Sequence, residues 1–143
     1  MSWEIVKQYF EGDQEDLIEI YYHDMVKTSW GKLFIWLQGR VIYLESQYGK
    51  EPPEELNIKS YLSGELSYIA STKCTDGFEM SLSIIDEVIL QIDIEKGEIK
   101  RSEEYNSFIS GVNEIASVIN CKNYIICPEF KKNEAFIVNG KVK

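Results

Sequence analysis

Apolar and polar positions along this chain follow two periods. Leu17 to Tyr22 (LIEIYY) is rich in β-formers and reads as a strand. Phe78, Met80, Leu82 and Ile84 alternate with Glu79, Ser81 and Ser83, the pattern of a strand with one face buried and one wet. Val88, Leu90, Ile92 and Ile94 repeat it, and Lys96-Gly97 offers a turn into a further strand around Ile99. Tyr124 to Cys127 and Ala135 to Val138 read as short strands, parted by a polar turn after Pro128.

The second period is helical. Tyr105, Phe108, Ile109, Val112, Ile115, Ala116 and Ile119 make one apolar stripe, with Ser102 as N-cap, Glu103 and Glu104 in the first turn, and Asn120 as the stop. Pro52-Pro53 followed by Glu54 and Glu55 suits the start of another helix, and Ile58, Tyr61, Leu62, Leu66 and Ile69 continue it to about residue 71. Residues 1–10 are apolar enough to pack as a strand or short helix. In residues 31–46 (GKLFIWLQGRVIYLES), two apolar runs flank Gly39-Arg40, which predicts a hairpin with a type II′ turn near the sheet centre; a helix there is the alternative.

Together these elements predict an α+β fold: a mostly antiparallel sheet packed against two main helices, about 54–71 and 103–119. Its 143 residues fit one domain, 1–143, large enough to bury a core without a metal or disulfide staple.

Charge narrows the functional classes. The net charge of -9 opposes direct binding to nucleic acid, which draws its affinity from Lys and Arg, and opposes docking on an anionic membrane. An acidic chain instead attracts a basic protein. The excess is uneven: residues 1–72 carry 12 acids against 6 bases, residues 73–143 carry 12 against 9. Three cysteines without a CxxC pair, an N-terminus unlike a signal peptide and no bilayer-length apolar run predict a cytoplasmic setting.

Recognisable catalytic chemistry is sparse. His23 is the sole histidine, so no two-His metal site can form, and Asp24 beside it points to the other face of a strand. Cys121 and Cys127 adjoin apolar elements and read as core, whereas Cys74 lies in a polar stretch and is expected to be the most exposed. Phosphate-binding glycine motifs are missing, and no cofactor or catalytic residue is assigned. Trp30, Trp36 and Tyr43 read as core; Trp3, Tyr21, Tyr22 and Tyr48 adjoin acidic, turn-rich segments and are the better interface candidates.

The strongest local asymmetry is residues 11–24, which hold six carboxylates and no Lys or Arg. Glu11, Asp13, Glu15, Asp16, Glu19 and Asp24, with Tyr22, are assigned to a partner-binding face. Glu45, Tyr48, Glu51, Glu54 and Glu55 form a second cluster expected to extend it.

The segment SWGKLFIWLQGRVIYLES, within residues 17–46, resembles a strand–turn–strand of immunity proteins from bacterial polymorphic-toxin systems, including contact-dependent growth inhibition. The resemblance implies a small, non-enzymatic α+β domain that binds the C-terminal domain of a cognate toxin. Such toxins are commonly nucleases, whose basic surface an acidic, aromatic-bearing face would occlude. The competing readings are a small ligand-binding or scaffold domain and a small enzyme working through paired carboxylates.

Overall fold

A computed structural model describes residues 2–143; Met1, the first residue of the apolar N-terminal segment, lies outside them. An interior strand of the sheet, β1 (Leu17–Tyr22), is hydrogen-bonded to β6 (Leu90–Glu95) on one side and β7 (Tyr124–Pro128) on the other, both antiparallel. Beyond β6 lie β5 (Glu79–Ile84), β4 (Tyr68–Lys73), β2 (Val41–Ser46) and β3 (Gly49–Glu51). Beyond β7 lie β8 (Ile137–Val138) and β9 (Lys141–Val142). Every pairing among the described residues is antiparallel, and the mixed α+β architecture agrees with the fold class read from the sequence.

The helices pack on one face of this sheet. Ile18, Ile20 and Tyr22 share that face with Ile92, Leu82 and Ala70, because the registers Ile20↔Ile92, Leu82↔Ile92 and Ala70↔Leu82 align them. Against this floor sit Val6 of α1 (Ser2–Val6) and Phe10 of the 3₁₀ turn that follows it, so the N-terminal segment is helical. Trp30, Leu33, Phe34 and Leu37 of α2 (Lys27–Leu37) join them, as does Tyr61 of α3 (Ile58–Leu62). The largest contribution comes from α4 (Ser102–Val118), through Tyr105, Phe108, Val112 and Ile115.

Several elements agree with their sequence patterns, α4 most closely. Its cap is Glu104 rather than Ser102: the carboxylate accepts the backbone N–H groups of Lys100 and Arg101 at 2.8 and 3.0 Å, and Ser102 is the first helical residue. Asn120 ends the helix in the left-handed region (φ 53°), with Cys121 N–H donating to the Ala116 carbonyl.

Three further expectations are corrected. The predicted hairpin over 31–46 does not form: residues 27–37 are α2, and only 41–46 is a strand. Trp30, Leu33, Phe34 and Leu37 fall at i, i+3, i+4 and i+7, and Ser29 Oγ accepts the Val26 N–H to start the helix. The expected helix over 54–71 is broken. Pro53–Glu55 is a 3₁₀ turn, α3 spans five residues, and Gly64 (φ 83°) ends it so that β4 can pair with β2 and β5. The strand expected near Ile99 is absent among the described residues; a 3₁₀ turn over Lys96–Glu98 leads directly toward α4.

Candidate functional site

Among the described residues the opposite sheet face carries no α-helix. Across it run two cross-strand rows set by the registers: Tyr43, Ser71, Ser81, Asp93, Glu19 and Cys127 in one, Glu45, Ile69, Ser83, Gln91, Tyr21 and Ile125 in the other. The segment joining β7 to β8, with its 3₁₀ turn Lys132–Glu134, lies over it above β1 and β7, where Tyr21, Cys127 and Ala135 form a small separate cluster. Lys132 Nζ sits 4.1 Å from the Tyr21 ring centroid, so its charge rests on the ring face.

Beneath that segment is Glu19. Its side chain is 2% exposed and fully engaged: Oε1 accepts the Tyr21 hydroxyl at 3.0 Å and the Phe130 N–H at 2.8 Å, and Oε2 accepts Gln91 Nε2 at 2.9 Å. Asp93 lies directly opposite and shares the Gln91 amide at 3.0 Å. Burial raises the Asp93 pKa; the Gln91 hydrogen bond works against the shift, while the charges of Glu19 and Glu129 add to it. Burial and the Glu19 hydrogen bond likewise push the Tyr21 phenol up.

The residues assigned to a partner face divide into separate places. Glu11, Asp13, Glu15 and Asp16 are exposed on the loop entering β1, where Asp13 Oδ1 accepts the Glu15 N–H at 3.0 Å. That loop is tied to the 96–98 turn by Lys96 N–H to Asp16 O and Gly97 N–H to Gln14 O. Asp24 is exposed beyond the other end of β1, roughly 20 Å away at about 3.3 Å per strand residue. Glu45, Tyr48 and Glu51 lie on β2, β3 and their connecting turn, with Glu54 and Glu55 in the 3₁₀ turn that follows. Since β4, β5 and β6 intervene, this second cluster stands about 19 Å across the sheet from β1, taking about 4.8 Å per strand. The two clusters do not merge. The loop carboxylates instead adjoin Glu95 and Glu98, beside Glu79 and Asp93 on the helix-free face.

Glu19 and Tyr22 are corrected outright, because neither is a surface residue. Tyr22 is fully buried on the helix side, its hydroxyl donating to the Val112 carbonyl at 2.6 Å. Tyr21 is buried too, leaving Tyr48, 81% exposed, as the strongest surface aromatic of the original set. The pattern did mark the wet face of β5 through Ser81 and Ser83, the signal from which the open face could have been found.

Reactive groups elsewhere are quiet. Contrary to expectation, Cys74 is buried, and burial raises its thiol pKa to about 12; Cys127 rises to about 11 for the same reason. His23 Nδ1 lies 3.2 Å from the Asn123 carbonyl. Among the described residues no group of three or more His, Cys, Asp or Glu side chains is arranged to hold a metal ion, and no helix is long and apolar enough to cross a membrane. The concavity lined by Trp3, Tyr105, Asn113 and Tyr124 is aromatic and amide-lined, and His23 lies outside it.

No protein family and no curated protein matches the sequence. The fold, however, is similar to a chain in the crystal structure of the toxic C-terminal tip of CdiA from Pseudomonas aeruginosa in complex with immune protein. The match has a TM-score of 0.58 at 13% identity and covers 90% of this chain and 97% of that one. At that identity the likeness is one of fold; the segment that carries the sequence resemblance is itself a helix and a strand, not a hairpin.

Proposed function

We propose that this chain is a cytoplasmic immunity protein that binds the C-terminal domain of a cognate toxin and neutralises it by covering its functional surface. The observation that carries this reading is the nearly end-to-end likeness of fold to a chain of a toxin–immune protein complex. Charge supports the immunity side of such a complex, since a net -9 repels the phosphates that a nucleic-acid-cleaving domain must approach. The same acidity suits a nuclease partner, whose cationic surface it would steer inward and mask. In this reading the exposed loop acids Glu11, Asp13, Glu15 and Asp16 act in steering. Glu45, Tyr48, Glu51, Glu54 and Glu55, at the far sheet edge, are a separate patch.

The test is direct. A toxin C-terminal domain found in the gene adjacent to this chain's is expressed alone and together with the chain in a sensitive host; absence of any such adjacent gene counts against the reading. Immunity requires that growth arrest by the domain be relieved and that the two purified proteins form a stoichiometric complex. Unrelieved arrest with no complex at micromolar concentration would end the proposal.

A further inference from the structure

From β6 to β2 no α-helix covers this face, and on its middle strands β4 and β5 serines alternate with longer residues. Ser71, Ser81 and Ser83 floor the middle strands, while Tyr43 and Ile69 (39% exposed) stand on the β2–β4 side. A shallow concavity over this floor is lined by Ser71, Ser81, Glu79, Asp93 and Glu98. Burial raises the Glu98 pKa; its Glu95 N–H bond opposes the shift, while the nearby Glu95 and Glu79 charges add to it, so acidic groups crowd this end of the face.

Beside it, above β1, stands Phe130. Its ring is 84% exposed, and its backbone has φ 60°, a left-handed conformation that is strained for a bulky residue. The conformation is held from below: the Phe130 N–H is fixed on Glu19, itself clamped by Tyr21 and Gln91. In the free chain the exposed ring does little to offset the strain. Such strain persists where the surrounding structure over-determines it, and it clusters at binding and functional sites. The neighbouring cations are partly engaged, Lys132 on the Tyr21 ring and Lys131 with Glu134 at 3.8 Å.

We infer that the toxin domain docks on this open face: a cationic surface of that domain seats over the serine floor against Glu79, Asp93 and Glu98, and Phe130 is the aromatic anchor entering an apolar pocket on it. The inference rests on the immunity reading and adds the surface through which it acts. An aromatic anchor beside a charged, complementary field combines slow release with fast association.

The experiment measures affinity for the adjacently encoded toxin domain, by calorimetry, alongside thermal melting of the free protein. Phe130→Asn replaces the ring with a residue that accepts the left-handed backbone. It is expected to melt at the same or a higher temperature while binding at least about tenfold more weakly. Ser81→Arg places bulk and positive charge in the floor and should weaken binding comparably. Ile35→Ser, on the helix side at a position 70% exposed, should leave affinity unchanged. If the unaltered chain binds and both face variants bind equally well, the docking surface lies elsewhere and the immunity reading stands. If Phe130→Asn lowers the melting temperature together with affinity, Phe130 is structural and the anchor role is lost. Should the unaltered chain not bind, both the immunity reading and this inference fall.

Discussion

Glu19 and Asp93 are direct cross-strand partners on β1 and β6, two carboxylates on the same sheet face joined through the single amide of Gln91. Like charges placed directly opposite are destabilising. Burial first, with the Glu19 charge adding to it, makes the folded chain hold the Asp93 proton more tightly than the unfolded chain does, so ionising Asp93 costs stability. That cost is absent below the ordinary value of 3.8, grows as pH rises through the shifted value, and is complete above it. Asp93→Asn keeps the acceptor for Gln91 and is expected to raise stability at pH 7 by about 0.5 kcal/mol. Urea denaturation should show the gain disappearing as pH falls below the ordinary carboxylate range. A pH-independent difference would contradict the assignment.

Glu114 has the opposite sign. Burial works to raise its pKa, but the Thr75 hydroxyl and N–H, Trp36 Nε1 at 3.0 Å and the Arg40 guanidinium at 3.9 Å outweigh it and hold the carboxyl below its ordinary value of 4.5. Arg40 also lies 4.8 Å from the Trp36 ring centroid, so the cluster ties α4 to the end of α2 and to the β4–β5 turn. Its stabilisation is present above pH 4.5 and is lost as pH falls through the depressed value. Glu114→Ala should cost about 2 kcal/mol at neutral pH, with the deficit shrinking in acid. Chemical denaturation at pH 7 and pH 3 checks both parts.

Tyr22→Phe separates structure from binding. The buried hydroxyl bonds the Val112 carbonyl, so its removal is expected to cost about 1 kcal/mol of stability. Toxin-domain affinity should not change, because the residue lies on the helix side of the sheet. A melting curve and a binding isotherm on the same preparation decide it.

The exposed loop acids should govern association rate. Combining Asp13→Asn, which preserves the acceptor for the Glu15 N–H, with Glu15→Lys and Asp16→Lys neutralises one carboxylate and reverses two without undoing the turn. Stopped-flow mixing with the toxin domain should show association slower by roughly tenfold at low salt, with a weaker salt dependence. Unaltered rates would remove these residues from the steering field.

At Gly111 α4 has no free room for a side chain against β5 and the end of β4. A Cβ there would meet Met80 Cε at 2.6 Å and Cys74 Sγ at 3.0 Å. The methionine end can move, so alanine is tolerable, but Gly111→Val adds branched bulk and should cost about 1–3 kcal/mol. Thermal unfolding of the two variants side by side tests the difference.

Local pattern alone was sufficient for β5, β6 and α4, whose apolar positions repeat at the period of their own backbone, and for β1 and β7 through their short runs of β-formers; Asn120 supplies a stop signal for α4. It failed for α2 because Ile35 is apolar yet exposed, which made a helix look like a strand buried on both faces. Over 54–71 the apolar spacing continued past Gly64 only by coincidence: Ile69 faces solvent on β4, and pairing with β2 and β5 outweighed any local preference for helix. The acidic character of the chain was legible from composition, but not which acids share a surface. Glu19 and Glu15 are equivalent letters in one segment. Only the laying of the β7–β8 connection over β1 buried the first, left the second in water and set Phe130 above the open face, because burial depends on contacts between residues more than a hundred positions apart.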